Sequence, residues 1–152
     1  MEQRPPSGEQ IEIAYGDQRA VAVTVGGGLR EYTAAGVPIL DGYPVDAIAD
    51  GARGQLLVPW PNRIRDGAYE FGGRHLQLPL TEPEQRNAIH GLARWLPWRV
   101  LQRAGNSATL GLDLPAQPGY PFQLSLSVAY HLDAGGLRVT QVAANVGRDP
   151  CP

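Results

Sequence analysis

A single cysteine, Cys151, excludes any disulfide within this chain and favours a reducing compartment, with the cytoplasm as the expected location. No apolar run approaches the length needed to span a bilayer, and Met1-Glu2-Gln3-Arg4 leads into no signal-peptide core, so no membrane association is expected. Charge is sparse at 18% of residues, of both signs interspersed, with a formal net charge of -2. That balance offers no electrostatic footprint for nucleic acid or an anionic membrane. Three histidines without paired spacing, no His-x-Glu and no cysteine pair argue against a metal site. A G-x-S-x-G elbow, a defensible Ser-His-Asp set and a nucleotide fingerprint are also missing.

What the chain does have is glycine and proline, 19 and 14 among 152 residues, spread along its whole length. They punctuate short segments, as in an all-β fold with many turns. The length suits one domain, and the hydrophobic content of 43% suits a globular one. Residues 1–8 read as a flexible leader. Strand pairs are expected at Ile11–Tyr15 with Ala20–Val25, at Leu29–Ala34 with Val37–Leu40, and at Tyr69–Phe71 with His75–Leu80. Gly26-Gly27-Gly28 reads as a sharp bend or bulge, because no Lys-Ser/Thr and no helical pattern follow it as a phosphate cradle requires. Asp41–Arg53 and the acidic Thr81–Arg86 read as loops, and the prolines of Pro59-Trp60-Pro61 as holding an extended segment.

The strongest strands are Trp98–Gln102, Ala108–Leu114, Phe122–Leu132 and Leu137–Val146. In the third, Phe122, Leu124, Leu126, Val128, Tyr130 and Leu132 share one face while Gln123, Ser125, Ser127, Ala129 and His131 share the other. That period of two is strand, not helix. The turn Asp133–Gly136 joins it antiparallel to the last strand. The expected architecture is antiparallel β in two packed sheets.

Two segments carry most of the candidate chemistry: Pro59-Trp60-Pro61-Asn62-Arg63-Ile64 and Asn87-Ala88-Ile89-His90-Gly91. The planar fork of Arg63 can hold two adjacent hydroxyls or one carboxylate; the alternative is an ion pair with Asp66 or Glu82. Arg65 suits a solvated or paired role. His90, between an apolar residue and a glycine, suits a pocket wall with close backbone approach, or else a satisfied core position. Asn62 and Asn87 can bond a ligand or cap their own turns. Trp60 is placed to stack on a ligand ring, whereas Trp95 and Trp98 read as packing. His75 and His131 read as solvated, and so do Glu82 and Glu84 in their polar loop. Tyr120-Pro121-Phe122 reads as a strand entry.

These segments resemble the aldose 1-epimerase (galactose mutarotase) family. Its PWPNRI-x-x-G-x-Y-x-F-x-G segment matches Pro59 to Gly73, and the second match is Asn87 to Leu92 followed by Arg94-Trp95 and Trp98. The resemblance runs in order along essentially the whole chain. It implies a galactose mutarotase-like antiparallel β-sandwich, with residues 9–152 its N-terminal portion, truncated. It implies interconversion of the α and β anomers of free aldohexoses, with no metal or redox cofactor. Arg63 and His90 would bind the sugar, with Asn62, Asn87 and Trp60 as further substrate-binding candidates. By the same resemblance the family's catalytic histidine and glutamate lie beyond the position of Pro152, so this chain alone is expected to be inactive. Non-catalytic carbohydrate binding and a hexose-6-phosphate epimerase are the alternatives. Exposed strand edges would then favour self-association.

Overall fold

Twelve β-strands and one 3-10 turn make up the regular structure of a computed structural model that describes residues 4–152. Strands β1 (Gln10–Tyr15), β2 (Gln18–Val23), β3 (Leu29–Ala34) and β4 (Val37–Pro38) form an antiparallel sheet in chain order. Tyr15 pairs with Gln18 across Gly16-Asp17, a two-residue turn whose glycine sits at φ 59°. Two short ladders follow. Strand β5 (Arg63–Arg65) pairs with β8 (Asn87–Ile89), and between them β6 (Ala68–Phe71) and β7 (Arg74–Gln77) form a hairpin. The second four-stranded sheet is β9 (Arg99–Ala104), β10 (Ser107–Leu114), β11 (Leu124–Asp133) and β12 (Gly136–Asn145), again antiparallel between neighbours. None of the described helices is long and apolar enough to cross a membrane.

Alternation along the strands builds the core. In β11 burial alternates without a break, and Leu124, Leu126, Val128, Tyr130 and Leu132 all point inward. Ala108, Leu110 and Leu114 of β10 join them, and Ile11, Ile13, Ala20 and Ala22 of the first sheet belong to the same cluster. The two sheets therefore share one apolar interior, as the period-two pattern predicts. Observed strand limits differ from the predicted ones by one to three residues, the largest at the end of β7, where the strand stops at Gln77 rather than Leu80.

The glycine triplet is a bend. Gly26 and Gly27 have φ of 79° and 63°, and a Cβ on Gly27 would lie 2.6 Å from the Trp98 ring. Tyr130 donates its hydroxyl to the Gly27 carbonyl at 2.7 Å, tying the bend to the centre of the second sheet. Elsewhere the structure refines the sequence reading. The Val58–Pro59 peptide is cis, and the segment from Gln55 to Asn62 joins no sheet and bends at Pro59 and Asn62. The Thr81–Arg86 loop contains the 3-10 turn Pro83–Gln85, closed by Arg86 at φ 58°. Of the expected leader, residues 1–3 lie outside the described residues. Pro5–Gly8 form a turn in which Ser7 is buried and its carbonyl accepts from the Val25 N–H at 3.0 Å.

The Tyr130–Gly27 bond gives a clean test of the link between the bend and the sheet. Tyr130→Phe keeps the buried ring but leaves the Gly27 carbonyl without its donor. It is expected to destabilise the chain by about 1–3 kcal/mol in urea unfolding. An unchanged midpoint would show that the Tyr130 hydroxyl adds nothing to the Trp98 contact and the backbone bonds of Gly26 and Gly28 that also hold the bend.

Candidate functional site

The two motif segments are neighbours in space because β5 and β8 pair, with Arg63 opposite Ile89, Ile64 opposite Ala88 and Arg65 opposite Asn87. Side chains alternate across a strand, so Arg63 and Arg65 project from the face opposite Ile64, which packs against the core. Just outside the ladder the backbone turns sharply at both ends of the joint. Asn62 and His90 have left-handed φ values of 61° and 63°, and Gly91 follows at 72°. Gly91 has no room for a side chain, since a Cβ there would sit 2.1 Å from the Val58 carbonyl oxygen. That same carbonyl accepts from the Leu92 N–H at 2.8 Å. The close approach expected of the glycine after His90 is present.

Asn62 and His90 bind each other twice. The His90 N–H donates to the Asn62 carbonyl at 2.9 Å, and the Asn62 N–H donates to His90 Nδ1 at 3.0 Å. A backbone N–H can only donate, so Nδ1 must be unprotonated and the ring proton resides on Nε2. Burial pushes the imidazole pKa below its ordinary value, reinforced by the positive charges of Arg94 and Arg63 and opposed by Glu82. His90 is thus a neutral ring with a fixed tautomer and one N–H directed away from its backbone partner.

Arg63 is held by Glu82. Its Nε and Nη2 donate to the two carboxylate oxygens at 2.7 and 2.8 Å, while Nη1 lies 3.4 Å from Asn62 Oδ1. Asn87 Nδ2 donates to the same Glu82 oxygen that accepts from Nε, at 2.9 Å. The hydrogen bonds from Arg63 and Asn87 hold the Glu82 carboxyl down to about 2. Glu82 is therefore not the solvated loop charge expected of it. Its side chain is only 21% exposed, and its backbone exchanges reciprocal hydrogen bonds with Asn87. Thr81 Oγ1 also accepts from the Ile89 N–H at 2.9 Å, so the loop is folded back along β8.

Asn62, Arg63, Asn87 and His90 are thus gathered at one joint. Trp60 lies on the other side of it. With Pro59, Ile64, Tyr69, Leu78 and Tyr120 it lines an apolar hollow of about 100 Å³, and its indole N–H is buried without a partner among the described residues. Trp98 is buried; Trp95 is largely exposed, with the Arg94 guanidinium 5.2 Å from its ring. His75 and His131 are exposed and half-exposed. The grip of Glu82 on Asn87 was missed in the sequence. Its only signal there was one acidic residue ahead of the second motif, among several alike.

A family model described as aldose 1-epimerase matches residues 9–152. The chain is 39% identical over 147 residues to the uncharacterized protein YihR of Escherichia coli K12, a match covering 96% of this chain and 48% of that protein. Among solved structures, a galactose mutarotase-like protein from Clostridium acetobutylicum superposes with a TM-score of 0.79 at 23% identity, covering 96% of this chain and 48% of that one. Galactose 1-epimerase from Lactobacillus acidophilus superposes at 0.73 with 22% identity, covering 95% and 47%. The chain spans about half the length of each of these proteins.

The tautomer of His90 is directly measurable. Long-range nitrogen–proton NMR is expected to show a protonated Nε2 and a titration midpoint below about 6.5. Because the folded value is lowered, the unfolded chain takes up the proton first. Stability should then fall as pH drops through about 6.5 and be fully present above it. A protonated Nδ1 in the neutral ring would disprove the Asn62–His90 bond.

Proposed function

The chain belongs to the aldose 1-epimerase family, and from that premise we propose that it supplies the sugar-gripping part of an anomer-interconverting site for free aldohexoses of the glucose or galactose type. In such a reaction a base takes the proton of the C1 hydroxyl and an acid protonates the ring oxygen as the C1–O bond breaks. The open aldehyde turns about the C1–C2 bond and closes on its other face, with the two groups exchanging roles. Little else is required of the protein than to hold the remaining hydroxyls still while C1 moves.

The observation that carries this reading is the doubly bonded Asn62–His90 pair beside Arg63. A neutral imidazole with Nδ1 already accepting has one thing to offer a ligand, the Nε2 hydrogen-bond donor. It does not release that proton near neutral pH. His90 therefore fits a grip on a hydroxyl or ring oxygen better than the role of acid or base. Arg63 fits the same task, and Asn62 and Asn87 serve by positioning these two. Trp60 enters as support beneath β5 rather than as a stacking ring. The acid and base of the family have no matching motif within these 152 residues.

Two measurements test this. In NMR titrations with glucose and galactose, His90→Ala and Arg63→Ala are each expected to weaken binding by about tenfold or more, the loss of a hydrogen bond to an ionised or fixed donor. Glucose 6-phosphate is the control for the phosphorylated alternative, and tighter binding of it than of glucose would favour that alternative. Polarimetry of fresh α-glucose should show no acceleration by this chain. Acceleration abolished in His90→Ala would place a complete acid/base set within it and overturn the grip-only role.

We also propose self-association through β12. Among the described residues this edge strand pairs only with β11, and its Val139 and Val142 are 43% and 53% exposed. An open apolar edge is a template for pairing. Sedimentation velocity should show mass rising with concentration, and Val142→Lys should suppress it. A monomer at all concentrations would refute the proposal.

A further inference from the structure

We infer that Glu82 is a positioning residue for Arg63, fixing the guanidinium so that its end-on edge is presented to two adjacent hydroxyls of the ligand. The inference rests on the sugar-binding reading above and adds to it a residue and a ligand geometry.

A guanidinium has five N–H groups in one plane. Glu82 occupies the side edge, taking Nε and one hydrogen of Nη2 in two near-parallel bonds. What remains free is the end edge, formed by Nη1 and the second hydrogen of Nη2. Those two donors are parallel and coplanar, and a pair of neighbouring hydroxyl oxygens on a sugar ring can accept from both. The weak 3.4 Å contact of Nη1 with Asn62 Oδ1 leaves this edge available. Arginine carries much rotamer entropy, and an unrestrained one would lose it on binding. Held by Glu82, it has lost that freedom beforehand.

Glu82 can do this because it is itself fixed. Its N–H donates to the Asn87 carbonyl at 2.9 Å and its carbonyl accepts from the Asn87 N–H at 3.1 Å. The Asn87 side chain then closes on its carboxylate from the other side. An ordinary exposed ion pair contributes little and moves freely. This one is clamped at both ends to the same two-stranded ladder, with Arg63 on β5 and Glu82 bridged to β8. Two donors from different residues converging on one oxygen also explain why its carboxyl stays ionised well into acid.

The test is Glu82→Gln in the full 152-residue chain, read in two ways. The first is hydrogen exchange of the Arg63 Nε–H by NMR, which reports the guanidinium's restraint whether or not sugar binds. It is expected to quicken at least fivefold in the variant; an unchanged rate overturns the positioning role. The second is galactose and glucose titration, where the variant should bind at least fivefold more weakly while its thermal midpoint stays close to wild type. Glu82→Asp, which keeps the charge but shortens the reach, should recover part of the exchange protection. Quickened exchange with unaltered sugar affinity overturns the assignment to ligand binding. If wild type binds neither sugar, the sugar-binding reading itself fails and takes the assignment with it, and the exchange rates alone then report on the Arg63–Glu82 clamp.

Discussion

The joint between β5 and β8 is the constraint on which the candidate site depends. It brings Asn62 and His90, 28 residues apart in the chain, into a reciprocal pair. Both adopt left-handed backbone conformations, which cost non-glycine residues on the order of 1 kcal/mol or more each. Two hydrogen bonds between them, and the ladder beside them, offset that cost. The strain has a consequence for chemistry. It turns the imidazole back onto the Asn62 N–H, and that contact alone decides which ring nitrogen carries the proton.

The rest of the fold keeps this joint in place. Ile64 anchors β5 to the core while Arg63 and Arg65 face away from it, and buried Ala88 does the same for β8. Gly91 lets the chain pass against the Val58 carbonyl, which binds Leu92 in turn. From there the chain reaches Trp98, whose ring fills the space over Gly27, and Tyr130 reaches the same glycine from the second sheet. The path from the β5–β8 joint to the central core is thus a series of close backbone approaches. Each depends on a residue with no side chain, or on one buried hydroxyl.

Much of this was legible in the sequence, for reasons specific to each element. The period-two pattern of Phe122–Leu132 fixed one face as core because a strand allows no other partition. Gly16-Asp17 and Asp133–Gly136 announced their turns. Arg63 and His90 stood out because motif and resemblance agreed. Less legible were contacts that join distant segments through polar atoms. Nothing in the local sequence of Thr81–Arg86 distinguishes Glu82 from Glu84, yet Glu82 holds Arg63 and Asn87 while Glu84 is exposed. Only the pairing of β5 with β8 separates the two. The placement of Trp60 is a similar case: a residue in a segment outside the ladder has no alternation rule to set its side, and only the structure puts its ring against Ile64 and Tyr69.

The charges at the joint bear on what it can hold. Arg63 is compensated by Glu82 and His90 is uncharged, so the pair of donors nearest the joint presents hydrogen-bonding capacity with little net charge. A neutral polyol needs donors of that kind, placed with fixed directions, more than it needs an electrostatic field. A strongly anionic ligand would instead have to draw on Arg63 against the pull of Glu82, whose two oxygens already occupy the guanidinium's side edge. Arg94, close enough to depress the His90 pKa, and Arg65, on the Arg63 side of β5, are the cations left to meet such a ligand. The clamp therefore leaves the joint with directed donors and little net charge, and any excess of positive charge near it comes from residues outside the Arg63–Glu82 pair.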